Sequence, residues 1–133
     1  MYKPAILWGS FFAGISVVIG AFGAHYLKTI LSPELLSSFE TGVRYQMYHA
    51  LGMILTGMIT SQIPIAARRI NLLFGIGIVC FSFSIYLLTF MKSTQDIGLG
   101  KLGLITPIGG VMLILGWAHL IVDVMKSVQY EKK

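Results

Sequence analysis

Four stretches of the chain, Ala5–Tyr26, about Gln46–Ala67, Ile70–Met91 and Leu102–Val122, each run for a bilayer's width without an Asp, Glu, Lys or Arg. A helix needs roughly 17–25 such residues to cross a hydrocarbon core about 30 Å thick. Lipid offers no partners to backbone N–H and C=O groups, so the segments are expected to be helices, which satisfy those groups internally. Composition agrees: 56% hydrophobic and 11% charged residues, with a mean hydropathy of +0.80, exclude an ordinary soluble domain.

Lys3 before the first stretch resembles the start of a secretory signal, but an uncharged run this long exceeds a signal's apolar core of about 7–15 residues. The stretch therefore reads as a retained span. The longest polar gap, Leu27–Tyr45, is too short for a further domain, which leaves one integral-membrane domain over residues 1–133. Lys3, Arg68, Arg69, Lys126, Lys132 and Lys133 then lie on one side, and Lys28, Arg44, Lys92 and Lys101 on the other. The excess places both termini in the cytoplasm of a bacterial cell. The net charge of +5 is accounted for by topology and contact with anionic head groups. These scattered cations form no nucleic-acid surface. Cys80 is alone, so disulfides and paired-cysteine metal sites are excluded.

Membrane helices associate where small residues let backbones approach and where polar side chains meet. Gly9, Ala13, Ser16, Gly20 and Gly23 share a face of the first span; Gly42, Tyr45, His49, Gly52 and Thr56 share one in the second. Asn71, Gly75, Val79, Ser82, Tyr86 and Thr89 form the corresponding stripe in the third, and Leu102, Thr106, Gly109, Leu113 and Gly116 in the fourth. Short connections make an antiparallel four-transmembrane-helix bundle the simplest all-α solution. The chain's 15 glycines also suggest small faces to spare for a homo-oligomer. Between spans one and two, Ser32, Pro33 and Glu34 give a helix start. Leu35, Leu36, Phe39 and Val43 follow on one side, which predicts a short interfacial helix that either breaks at Gly42 or continues into span two.

This topology gathers polar residues that are distant in sequence. His25, Arg44, Tyr45, Gln46, His49, Ser84, Tyr86, Thr89 and Thr106 all fall in the non-cytoplasmic half. His25, Arg44, Tyr45, Gln46, His49, Tyr86 and Thr106 are the candidate ligand-binding set.

The segments "GAFGAH" at Gly20–His25, "RYQMYHALG" at Arg44–Gly52, "FSFSIYLL" at Phe81–Leu88 and "ITPIGGVMLILGW" at Ile105–Trp117 resemble the family catalogued as domain of unknown function 423, whose eukaryotic relatives are called transmembrane protein 256. The resemblance covers nearly the whole chain, with Phe83 where a small residue is expected. It implies a small four-span integral-membrane protein and supplies no activity.

Each polar residue also has a structural reading. Arg44 has Glu40 one turn earlier, in the favourable order for an ion pair, as an interfacial anchor. His49 is expected to hydrogen-bond a neighbouring helix, and His25 to be held at its helix end. Tyr45 and Tyr86 suit an outer aromatic belt and Trp8 an inner one. Trp117 is expected against the first span's small face. Thr106 and Pro107 read as an N-cap and first helical residue, and Asp123 as the partner of Lys126. Two histidines on separate spans lack the further ligands or tight spacing of a transition-metal site, so neither a metal nor an identifiable cofactor is expected.

Three functions remain in order. The first is a non-enzymatic protein whose polar cluster holds a membrane lipid or other amphiphile. The second is a proton or small-solute channel or transporter, which needs a polar path where Gly52–Ile63 offers only Thr56, Thr60, Ser61 and Gln62. The third is a lipid-head-group enzyme with His49 as base, for which Glu40 is the one assisting carboxylate.

Overall fold

A computed structural model describes residues 1–94 and 103–131. Lys101, Lys132 and Lys133 of the charge tally, and Leu102 of the fourth stripe, lie outside them. Within the described residues the chain is helical: α1 (Lys3–His25), α2 (Pro33–Ile59), α3 (Ala67–Ile78), α4 (Ser84–Ser93) and α5 (Ile105–Glu131). A five-residue π turn, Val79–Phe83, joins α3 to α4 without interrupting the rod, which runs from Ala67 to Ser93.

The four described rods alternate in direction. Gly9 meets Ala50 and Gly23 meets Phe39 across α1–α2; Gly52 meets Phe74 and Gly42 meets Tyr86 across α2 and the α3–α4 rod. Gly116 meets Phe74 and Gly109 meets Phe81 across α3 and α5. α1 packs along α2 and α5 along α3, while α2 bridges to both α3 and α4. Met53, Ile70, Phe74, Ile78 and Leu113 form the core at this meeting point. Large apolar side chains cover the outside, including Leu7 and Val18 of α1 and Ile114 of α5. That is the surface expected where lipid, not water, is the solvent.

α2 begins as its sequence predicts. Ser32 Oγ accepts a hydrogen bond from the Leu35 N–H at 3.4 Å, and Pro33 takes the first helical position. Glu34 lies in the first turn, where hydrogen bonds from its own backbone N–H and from Ser32 hold its carboxyl below the usual range. The separate interfacial helix is corrected: α2 continues unbroken through Gly42, because that glycine admits the Tyr86 ring rather than ending the helix. A Cβ there would stand 2.7 Å from Tyr86 Cε1. Leu35, Leu36, Phe39 and Val43 are the first turns of this one helix, with Phe39 and Val43 packed on Gly23 and Gly20. The expected second span is also too long. α2 ends at Ile59, and residues 60–66 form the turn into α3.

The predicted faces hold for α1, for α2 apart from the exposed Tyr45, and for the described residues of the α5 stripe. In the third rod Gly75 has nothing within 4 Å of its Cβ direction, and Val79 is half exposed. The buried positions before the π turn are Ala67, Ile70, Asn71, Phe74, Gly77 and Ile78, so of the predicted stripe only Asn71 is buried there. The turn adds one residue, about 100° of rotation, so Ser82, Tyr86 and Thr89 face inward while Gly75 and Val79 do not. Phe83 points outward at 63% exposure, so its bulk does not disturb the packing.

Asp123 also differs from expectation. Its Oδ2 accepts the Ala66 N–H at 2.8 Å, capping α3 from α5, where no local side chain does so. An aspartate at a helix N-terminus satisfies a free donor and faces the positive end of the dipole, a better site than the neighbouring Lys126. Asp123→Ala is expected to lower stability by about 1 kcal/mol, read as a shifted unfolding midpoint in detergent; an unchanged midpoint would remove the cap.

Candidate functional site

The sequence-predicted cluster divides into two hydrogen-bonded groups and several surface residues. Gln46, at 3% exposure, donates from Nε2 to the Phe12 carbonyl of α1 at 2.9 Å. Its Oε1 accepts the Tyr86 hydroxyl of α4 at 3.0 Å, so one side chain ties three helices. Ser84 and Thr106 share a hydrogen bond of 2.7 Å between α4 and α5. Thr106 is therefore not the N-cap: the helix starts at Ile105, and Pro107 lies in the first turn, where a missing N–H costs little. Ser16 adds a bond to the Val43 carbonyl at 3.0 Å.

His49 is buried, but its hydrogen bond stays within α2. Nδ1 donates to the Tyr45 carbonyl at 2.7 Å, which leaves Nε2 as the acceptor nitrogen. The ring packs against Phe74 and Trp117, at centroid distances of 5.4 and 6.1 Å. Trp117 rests on Gly52 of α2 and on Phe74, not on the first span, because α2 lies between α1 and α5. Tyr45 is 41% exposed and stacks on Phe81 at 4.7 Å. Arg44 lies at the surface beside Glu40 at 3.8 Å and donates to Thr41 Oγ1 at 3.1 Å. His25 is exposed at the end of α1 and forms no side-chain hydrogen bond among the described residues. His119 is exposed and bonds the Leu115 carbonyl.

A different site stands at the opposite end. α1 leans on α2 and diverges from α3, leaving a groove of about 450 Å³ between them. Trp8 and Phe12 form one wall; Leu72, Gly75, Ile76 and Val79 form the other. Arg68 stands at its mouth, and a second recess of about 440 Å³, lined by Tyr2, Arg68 and Arg69, adjoins it. Asn71 lines the groove at 7% exposure, and its Oδ1 has no hydrogen-bond partner. The sequence reading placed Asn71 on a packing stripe and missed this role. The available signal was an amide one turn inside an apolar run, since polar groups at membrane depth are costly without a partner.

The helical rods, their apolar exterior and the internal hydrogen bonds between them define an all-helical integral-membrane protein. Among the described residues, three helices, Lys3–Thr29, Ala67–Ser93 and Ile105–Gln129, are long and apolar enough to cross a membrane. Residues 19–110 match the family described as "Protein of unknown function (DUF423)", and the chain belongs to that family. It is 41% identical over 126 residues to a UPF0382 membrane protein of Staphylococcus haemolyticus, covering 95% of this chain and 98% of the relative. It is 35% identical over 126 residues to the UPF0382 membrane protein YwdK of Bacillus subtilis, covering 93% and 98%. No solved structure matches.

Proposed function

We propose that this is a four-span, non-enzymatic protein of a bacterial cytoplasmic membrane, with both termini inside, that holds an amphiphile in the α1–α3 groove. α2 serves as the fourth span despite Arg44, Gln46 and His49. Gln46 and His49 are buried against other helices, while Leu51, Leu55 and Met58 face outward. Lys3, Arg68 and Arg69 lie at one end of the rods and Lys28 and Lys92 at the other, consistent with the charge bias. Of the outer polar residues, Gln46, Tyr86 and Thr106 fasten helices to one another, while Arg44 and His49 have their polar partners within α2. Glu40 is paired with Arg44, which weakens the enzymatic alternative.

The observation that carries the proposal is the apolar groove itself, which lies between α1 and α3 with the exposed Arg68 among its lining residues. Native mass spectrometry after gentle extraction from the host membrane tests it, with Gly75→Phe beside the wild type. Gly75 lines the groove and has nothing within 4 Å of its Cβ direction, so the added ring is expected to occupy the groove. A reproducible adduct in the wild type and its loss in an equally stable variant are expected. A bare wild-type protein, or an adduct retained by Gly75→Phe, would overturn the proposal.

A further inference from the structure

We infer that the amphiphile is an anionic phospholipid, held with one acyl chain in the α1–α3 groove and its phosphate between Arg68 and Arg69 in the adjoining recess. This inference rests on the groove reading above and deepens it. The two cavities share Tyr2 and Arg68 in their lining, so an apolar compartment adjoins a basic one without an intervening wall of other residues. The Tyr2 backbone N–H donates to the Gly57 carbonyl at 2.8 Å, which ties the segment before α1 to the end of α2 and holds that shared edge in place.

Arg68 and Arg69 set the charge of the ligand. Both are exposed, and neither side chain has an acidic or hydrogen-bonding partner among the described residues. Asp123 reaches this end of α3 from α5, but its Oδ2 accepts the Ala66 N–H at 2.8 Å instead of pairing with a guanidinium. Guanidinium groups match phosphate oxygens through two parallel N–H donors, and two of them can share one phosphate. A zwitterionic head group sets a cation beside its phosphate, which the arginines repel. Size argues against a fatty acid. The recess measures about 440 Å³, close to the 450 Å³ of the groove, and a carboxylate would leave most of it empty.

The groove sets the place of the chain. From Arg68 to Val79 the helix rises about 16 Å, half of a hydrocarbon core about 30 Å thick. Along α3 the lining ends at Val79 and Cys80, the first two residues of the π turn, whose extra residue also leaves Gly75 facing the groove. The groove therefore spans one leaflet, with its cations at head-group depth and its far end near the bilayer middle. Phosphate at the rim and chain toward the midplane is the order of a phospholipid standing in that leaflet. A second acyl chain stays in the bilayer, because the groove is open along its length between α1 and α3.

The test uses the full-length protein, delipidated in mild detergent and titrated with phosphatidylglycerol, phosphatidylcholine of the same acyl chains, palmitate or glycerol phosphate, with bound molecules read by native mass spectrometry. Phosphatidylglycerol is expected to bind roughly twentyfold more tightly than phosphatidylcholine, and Arg68→Gln and Arg69→Gln each to reduce that preference roughly fivefold. Lys28→Gln/Lys92→Gln removes two exposed cations at the opposite end of the rods and is expected to leave the preference unchanged. Palmitate and glycerol phosphate, which lack the phosphate and the chain respectively, are expected to bind more weakly than phosphatidylglycerol. A preference that the lysine pair removes as well as the arginines would mean general surface charge and overturn the site. Equal binding of phosphatidylglycerol, phosphatidylcholine and palmitate, lost in Gly75→Phe, would overturn the ligand class and leave the groove standing. Glycerol phosphate bound as tightly as the lipid would make the recess a site for a soluble phosphate and overturn the lipid. Lipid binding that Gly75→Phe does not change would overturn the groove itself.

Discussion

Gly109→Ala is expected to cost about 3 kcal/mol, the upper end of what overpacking costs. At most helix contacts an added methyl meets a side chain that can rotate away. Here it would meet the backbone of the π turn, with the Cys80 carbonyl carbon at 2.7 Å and Phe81 Cα at 2.8 Å, and the Phe81 amide nitrogen nearer still. The only relief is to move α5 away from the α3–α4 rod, and that movement would also strain the neighbouring Ser84–Thr106 hydrogen bond. Gly75→Ala is the matched control, because nothing lies within 4 Å of its added Cβ. It is expected to be neutral or to gain about 0.5–1 kcal/mol from the lower conformational freedom of alanine in the unfolded chain. Unfolding in mild detergent with increasing sodium dodecyl sulfate, followed by circular dichroism, measures both. Equal midpoints for the two variants would mean that α5 does not approach the π turn as described.

The contrast between these glycines also explains what the sequence can reveal. Small residues at steps of three and four identify a helix face, and on α1 that face is the one packed on α2, with Gly9 and Gly23 buried. Such spacing assumes constant rotation per residue. The π turn violates that assumption by one residue and leaves no compositional trace, since Val79–Phe83 reads like any other apolar pentapeptide. Gly75 thus appeared on a packing stripe although it faces the groove. Gly42 shows the opposite ambiguity: a glycine that ends a helix and one that admits an aromatic ring look alike until the ring is known.

The candidate site was legible to a similar degree. Topology alone gathered Gln46, Tyr86, Ser84 and Thr106 at one level, and they are indeed hydrogen-bonded across helices. It could not indicate that their capacity is used on one another, because that depends on side-chain reach of a few ångströms. Nor could it identify Asn71, whose two satisfied N–H groups and one unsatisfied oxygen depend on Thr56, fifteen residues earlier. The Asp123 cap on Ala66 joins residues 57 apart and competes with an equally plausible local partner, Lys126.

Gln46→Leu is the second large expected loss, about 2 kcal/mol. It removes the bonds to the Phe12 carbonyl and the Tyr86 hydroxyl, and interhelical hydrogen bonds in membrane proteins contribute about 0.6–1.7 kcal/mol each. Leucine has a similar size, so the effect should come from lost bonding rather than from a cavity. Tyr86→Phe removes only the second bond and should cost about 1 kcal/mol. The double variant should then lose less than the sum of the two, by about the strength of the shared bond, since each single change already breaks it. Strict additivity in the same detergent titration would mean that Gln46 and Tyr86 do not bond each other. The amphiphile supplies an independent readout, because neither residue lines the α1–α3 groove. A Gln46→Leu protein that is less stable yet keeps its adduct in native mass spectra would separate the fastening residues from the ligand site. Loss of the adduct while the helices remain assembled would return the ligand to the outer cluster, with Gln46 among its contacts.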